Sequence, residues 1–105
     1  MYKLIFYVPS MDKENVKNAI FKTGAGRIGH YSHCAWEVEG MGQFLPLQGA
    51  NPHLGKIEQL ERVKEYRVEV LCEEDQLRPA LAALKSSHPY EEPAYEIVSV
   101  LNHKF

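Results

Sequence analysis

Much that would point directly to a function is missing or scarce in this sequence. Two cysteines, Cys34 and Cys72, in 105 residues are too few for a disulfide-stapled scaffold or a closed four-cysteine zinc site. The start shows no charged n-region, apolar h-region or cleavage site, so the expectation is free thiols in a reducing cytoplasm. The longest apolar run, LIFYV at 4–8, is far below the ~20 residues needed to span a bilayer, and no membrane partner is expected. Neither sign of charge dominates: 12 Lys and Arg stand against 14 Asp and Glu, for a net charge of −2. There is thus no basic field for phosphate backbones, and nucleic acid is not expected as a partner. Asp occurs only at 12 and 75, and Ser32, Ser86 and Ser87, the serines near a histidine, stand in no G-x-S-x-G elbow. A nucleophile triad therefore finds no support. Glu91 and Glu92 are sequence neighbours, a poor arrangement for acid/base work across a substrate. Repeats, linkers and low-complexity segments are absent as well.

What is present fits a single domain over residues 1–105. A composition 45% hydrophobic and 25% charged is ordinary for a folded chain, and one of this length buries about 65% of its unfolded surface. YKLIFYVP (2–9) is an aromatic and β-branched run stopped by Pro9, as in a buried strand. In SMDKENVKNAIFKTGAG (10–26), Ser10 or Asp12 is placed to cap a helix whose Val16, Ala19, Ile20 and Thr23 share a face, with Gly24 as its stop. HCAWEVEG (33–40) alternates Cys34, Trp36 and Val38 with Ala35, Glu37 and Glu39, a strand with one buried face. GMG (40–42) then reads as a turn into QFLPL, an extra hairpin after the first helix, with Pro46 limiting the return strand to an edge. QGANPHLGK (48–56) is a loop. ERVKEYRVEVLC (61–72) is a long strand with Tyr66, Val68, Val70 and Cys72 on one face. EEDQLRPALAALKSSHP (73–89) is a helix carrying Leu77, Leu81 and Leu84 on one side and Pro79 near its first turn. AYEIVSVLN (94–102) closes the order. This succession is α+β, a ferredoxin-like split βαβ plait: an antiparallel sheet with two helices on one face. Ile5, Tyr7, Val98 and Val100 cannot all enter one core, so the other face calls for a cover that oligomerisation would supply.

GAGRIG (24–29) matches the dinucleotide fingerprint G-x-G-x-x-G letter for letter. That pattern works only between a strand and the helix it opens. Here it follows a helix end, so it reads as a stop and a glycine-rich entry into the next strand.

SSHPYEEPAYEI (86–97) resembles the C-terminal HPYE-x-P signature of the CutA divalent-cation-tolerance proteins. GAGRIGHYSHCAWEVEGMGQFLPLQGANPHLG (24–55), EYRVEV (65–70) and HPYEEPAY (88–95) together resemble the CutA-like domain inserted in the YqfO branch of the Nif-three-like (Ngg-one-interacting-factor-three) family. The resemblance implies a CutA- and PII-like ferredoxin fold that assembles as trimers. Members of that family carry this domain between flanking domains that supply a His- and carboxylate-lined di-metal centre. Residues 1 and 105 match the edges of the insert alone, so the expectation is a stand-alone domain to which a GTP cyclohydrolase type two label does not pass.

Candidate sites fall in three places. His30, His33 and Cys34 form H-x-x-H-C, a ligand set suited to Zn or Cu, set against a buried Cys34 and a solvated His33, since neighbours on a strand point to opposite faces. His88, Tyr90, Glu91, Glu92 and Tyr95 lie in HPYEEPAY, where Pro89 and Pro93 stiffen the backbone for ligand contact or for an interface. His53 tips the GANPHLG loop (49–55), where a PII-like protein presents its recognition loop. Trp36, Phe44 and Tyr66 read as core or interface packing, and His103 and Phe105 as a tail without a motif. The functional expectation is a small cytoplasmic, non-catalytic binding or regulatory module forming a homotrimer, with an edge-paired homodimer as variant and another protein or a small ligand as further partner. Against it stand a divalent-metal binder of the cation-tolerance type, for which such an ion would be the cofactor, and a nucleotide hydrolase.

Overall fold

The computed structural model describes residues 1–101; Asn102 and the tail with His103 and Phe105 lie outside the described residues. The strands are β1 (Tyr2–Pro9), β2 (Trp36–Phe44), β3 (Glu61–Cys72) and β4 (Tyr95–Ser99), and the helices α1 (Lys13–Phe21) and α2 (Glu74–Ser87). They form one four-stranded sheet of order β2-β3-β1-β4 in which every neighbouring pair is antiparallel. Both helices lie on one face and pack against each other. This is the α+β plait that the element order implies.

Alternation along β1 and β3 decides which face is covered. Leu4, Phe6 and Val8 with Val68, Val70 and Cys72 point toward the helices and are buried against Val16, Ile20, Phe21, Ala80 and Leu84. Fully burying a side chain of this size contributes roughly 1.5–3 kcal/mol, so this layer carries the stability. Two lysines of α1 complete it at the β2 side: Lys13 and Lys17 both hydrogen-bond Glu37, Lys17 at 2.7 Å. These contacts hold the Glu37 carboxyl below its ordinary range. Lys13 also sits 3.9 Å over the Tyr66 ring.

Neither Ser10 nor Asp12 caps α1 through its side chain. A 3-10 turn over Ser10–Asp12 precedes the helix, and Asp12 is already in the right-handed helical region (φ −101°, ψ −6°) instead of the extended conformation a capping side chain needs. At the other end Gly24 takes φ +96° and its N–H donates to Phe21 O at 3.0 Å, the left-handed stop expected of it. Gly26 then bonds Leu71 O through its N–H and accepts from Cys34 N, both at 2.8 Å. A Cβ there would lie 3.0 Å from Cys34 O and from the Phe21 ring. GAGRIG is thus a stop and a clasp onto the end of β3.

α2 opens with a reciprocal capping box between Glu73 and Gln76, the Glu73 N–H donating to Gln76 Oε1 at 2.9 Å. Because the helix starts at Glu74, Pro79 falls at its sixth residue, just past the first turn. Pro79 is exposed, and so is Asp75, whose carbonyl loses its partner and is left to water.

The expected turn at Gly40–Gly42 does not form. β2 runs straight through GMG to Phe44, paired residue for residue with β3 from Trp36↔Glu69 to Phe44↔Glu61. The hairpin after the first helix is therefore β2 with β3, joined by the 45–60 loop. Neither glycine has positive φ, so neither meets the demand of a tight two-residue turn. The outer part of this hairpin passes the end of β1, which stops at Pro9↔Glu65, and projects as an arm. The long axis of the molecule is accordingly 48 Å, with a radius of gyration of 14.8 Å where a compact chain of this length would show about 13 Å.

The face away from the helices is open. Ile5 is buried on it, between Tyr7, whose hydroxyl donates to Glu96 at 2.5 Å, and Lys3, paired with Glu69 at 3.1 Å. Trp36 (59% exposed), Val38 (45%) and Val98 (44%) stand uncovered, so the face assigned to Trp36 and Val38 is not buried within one chain. Among the described residues no helix is long and apolar enough to cross a membrane.

Continuity of β2 makes a specific prediction. A Cβ at Gly40 meets nothing within 4 Å, so Gly40→Val should be neutral or stabilise by up to about 1 kcal/mol in urea unfolding. A loss above ~1 kcal/mol would restore the turn.

Candidate functional site

The 45–60 loop, which closes the outer end of the arm, and the HPYEEP turn (88–93) meet beside the arm, and Tyr90 stands where they meet. α2 ends at Ser87 and His88 leaves it in extended conformation (φ −74°, ψ 138°). Pro89 follows, and the residue before a proline is held out of the helical region. His88 is 6% exposed and both its ring nitrogens are engaged: Nε2 lies 2.7 Å from Tyr7 O, and Nδ1 accepts the Tyr90 N–H at 3.1 Å. A carbonyl on one side and an N–H on the other require the neutral tautomer protonated on Nε2. Burial pushes the imidazole below its ordinary value, a shift the bond to the Tyr7 carbonyl partly opposes. His88 thus anchors the turn to β1 and has no lone pair to offer a metal.

Tyr90 is half-buried among rings, with centroids 5.0 Å from His88, 5.9 Å from Phe44 and 6.4 Å from His53. Its hydroxyl donates to Glu65 Oε2 on β3 at 2.7 Å. The Glu65 carboxylate reaches this position by lying across Gly42, where any Cβ would overlap it. That is what the second glycine of GMG does in a strand. Burial first, then the Glu65 hydrogen bond and charge, push the Tyr90 phenol far above its ordinary range. The loop is tied to the turn by Asn51, whose N–H donates to Glu91 Oε1 at 2.9 Å. A Cβ added at Gly55 (φ +90°) would lie 3.5 Å from Phe44 and Glu61.

Two small concavities share Tyr90, Phe44 and Glu92. One, of about 100 Å³, is lined by Phe44, Pro52, His53, Leu54, Tyr90, Glu91 and Glu92. The other, of about 160 Å³, opens among Tyr7, Gln43, Phe44, Glu65, Tyr90, Glu92 and Ala94. The structure therefore brings His53, Tyr90, Glu91 and Glu92 together and sets His88 behind them as support. Tyr95 points elsewhere, packing on the core with Lys85 5.4 Å over its ring. Phe44 and Glu65 are the residues the sequence reading missed as site residues. The projecting arm places both, and no local pattern marks it.

The H-x-x-H-C set does not assemble. His33, in left-handed conformation (φ +60°), packs its ring tilted against Phe21, with centroids 4.8 Å apart, and holds Ser32 Oγ at 2.9 Å through Nδ1. The Cys34 thiol faces Ser32 O and lines a separate hollow with Lys3, Ile28 and Trp36. His30 lies in the bridge-closed turn between Ile28 and Tyr31. Among the described residues no three His, Cys, Asp or Glu side chains lie close enough to share a metal ion.

No family model matches the chain. It is 48% identical over 99 residues to the GTP cyclohydrolase 1 type 2 homolog of Mycobacterium bovis, covering 94% of this chain and 26% of that protein. The crystal structure of a Bacillus cereus protein related to NIF3 superposes with a TM-score of 0.83 at 39% identity, over 96% of this chain and 26% of that one. CutA from Pyrococcus horikoshii superposes with a TM-score of 0.68 at 20% identity, over 95% and 84%, a likeness of fold. The chain thus spans about a quarter of the length of the curated relatives it matches.

Because the His88 imidazole titrates below its ordinary value of 6.5, the unfolded chain takes up that proton first as pH falls. Stability should therefore decline as pH drops below about 6.5, until the folded imidazole also protonates. His88→Gln should lower Tm at pH 7.5, from a loss of about 1–3 kcal/mol. It should also flatten Tm between pH 7 and 5.5, above the carboxylate range. An unchanged slope in thermal melts by circular dichroism would remove His88 from this role.

Proposed function

Because the chain is a CutA-like domain of the kind that makes up about a quarter of NIF3-related proteins, we propose that it is a non-catalytic binding module that associates with copies of itself. The supporting observation is the bare sheet face, where Trp36, Val38 and Val98 stand exposed around a buried Ile5. Glu69 stands between Trp36 and Ile5, and Lys3 beside Val98, and a face that mixes exposed apolar side chains with charges in this way is what an interface between copies covers. Closed symmetry limits the assembly, and a homotrimer is the form the CutA-like resemblance implies. Free thiols at Cys34 and Cys72 accord with a module working in the reducing cytoplasm.

The catalytic label on the longer relatives is not extended to this domain. Around Tyr90 each polar group has a structural partner or stands alone. His88 bridges two backbone groups, Glu65 accepts from Tyr90 and Glu91 from Asn51. A general base needs a neighbour that sets its proton position and a place for the reacting atom, and this cluster offers recognition.

In multi-angle light scattering the chain should run as a trimer of about 36 kDa, three copies of 12.0 kDa. Val98→Glu, which places a charge on the open face, should yield monomer with an unchanged circular dichroism spectrum. Incubated with GTP, the chain should leave the nucleotide intact by chromatography. A monodisperse wild-type monomer, or turnover abolished by Glu65→Gln, would contradict the reading.

A further inference from the structure

We propose that the cleft around Tyr90 binds an organic cation, an alkylammonium or guanidinium group received against the rings of Phe44 and Tyr90 and faced by the carboxylates of Glu65 and Glu92. Its lining is aromatic and acidic with no Lys or Arg. The rings of Phe44 and His53 lie tilted on that of Tyr90, with centroids 5.9 and 6.4 Å from it, and aromatic rings beside a cleft are a setting in which a cation gains from the ring quadrupole. Glu92 is exposed and makes no hydrogen bond or ion pair among the described residues, so its charge faces the opening. Glu65 retains a second oxygen beyond the one that accepts from Tyr90. Beside burial and the hydrogen bond to Glu65, the charges of Glu65, Asp12 and Glu61 also oppose ionisation of the Tyr90 phenol, so the nearby charge is negative.

The same geometry selects the class of cation. Among the described residues the carboxylates and imidazoles are not gathered as a set of three for a metal ion, whereas ring faces and spaced carboxylates suit a diffuse, partly apolar charge. The size, about 100 and 160 Å³, admits a group the size of a side-chain end. Such a group can come from a free amine or guanidine, or from a Lys or Arg side chain of a polypeptide. This inference deepens the binding role above and rests on it. The two still fail separately, because light scattering reports association and the titration below reports the cleft.

The test is an NMR titration of the ¹⁵N-labelled chain with n-butylammonium chloride and n-propylguanidinium chloride. Equimolar NaCl and n-butanol serve as controls for ionic strength and for the apolar tail. Saturable shifts confined to the amides of 51–54 and 90–92 are expected, with dissociation constants in the ~millimolar range. Glu92→Gln, an exposed position, should weaken binding about fivefold or more, and Phe44→Leu similarly. Nα-acetyl-lysine methylamide separates the sources: equal or tighter binding than butylammonium assigns the cation to a polypeptide side chain, and weaker binding assigns it to a free amine. Shifts no larger than with NaCl, equal shifts with n-butanol, or an unaltered titration in Glu92→Gln would overturn the proposal.

Discussion

The hydrogen bond from the Tyr90 hydroxyl to Glu65 is the contact on which the functional end of this domain depends. It joins the turn after α2 to the central strand β3 across 25 residues of sequence, and it exists only because Gly42 leaves the neighbouring strand without a side chain there. A bond to a charged acceptor contributes about 1.5–3 kcal/mol, more than a neutral one. Once Tyr90 is held, Phe44, His53 and His88 have a ring to pack against, and Glu91 is placed to take the Asn51 N–H. The loop and the turn are then one structure, and the cleft between them has walls.

The sheet divides its labour between its faces. Toward the helices it is dry, and the polar side chains admitted there are paired, Glu37 with Lys13 and Lys17. Away from the helices it is a mixture of ion pairs and exposed apolar side chains that one chain leaves uncovered. In the reading proposed above, copies of the chain meet on this open face, and the cleft adjoins it, since Tyr7 and Glu65 of the same face line the cleft wall.

Period-two alternation and the helical spacing of Val16, Ile20, Leu77, Leu81 and Leu84 made the plait legible, since burial on one face writes itself directly into residue order. The stop at Gly24 was legible for the same kind of reason: a left-handed position favours glycine. GMG misled because glycine marks two different needs, a turn that requires positive φ and a strand that must leave room for a neighbour. Only the position of Glu65 on the neighbouring strand, 23 residues further along the chain, tells which applies. His53, Tyr90, Glu91 and Glu92 could be singled out as a group, yet which would face a cleft and which would anchor it depended on the bond from His88 to β1, a contact 81 residues apart in sequence. His30, His33 and Cys34 were near in sequence and not in space, because the left-handed His33 turns its ring back onto Phe21. Phe44, at the tip of the arm, and Glu65, at its root, escaped notice because both join the site through Tyr90, a contact far along the sequence that no local period marks.

The central claim is that Tyr90 and Glu65 act as a unit to hold the loop and the turn together. A double-mutant cycle with Tyr90→Phe, Glu65→Gln and the double variant, read as unfolding free energies at pH 7.5, isolates their interaction. A coupling of about 1–2 kcal/mol is expected for a partly buried, charge-assisted bond. Additivity within about 0.3 kcal/mol would show that the two side chains are independent and that the cleft is held in some other way.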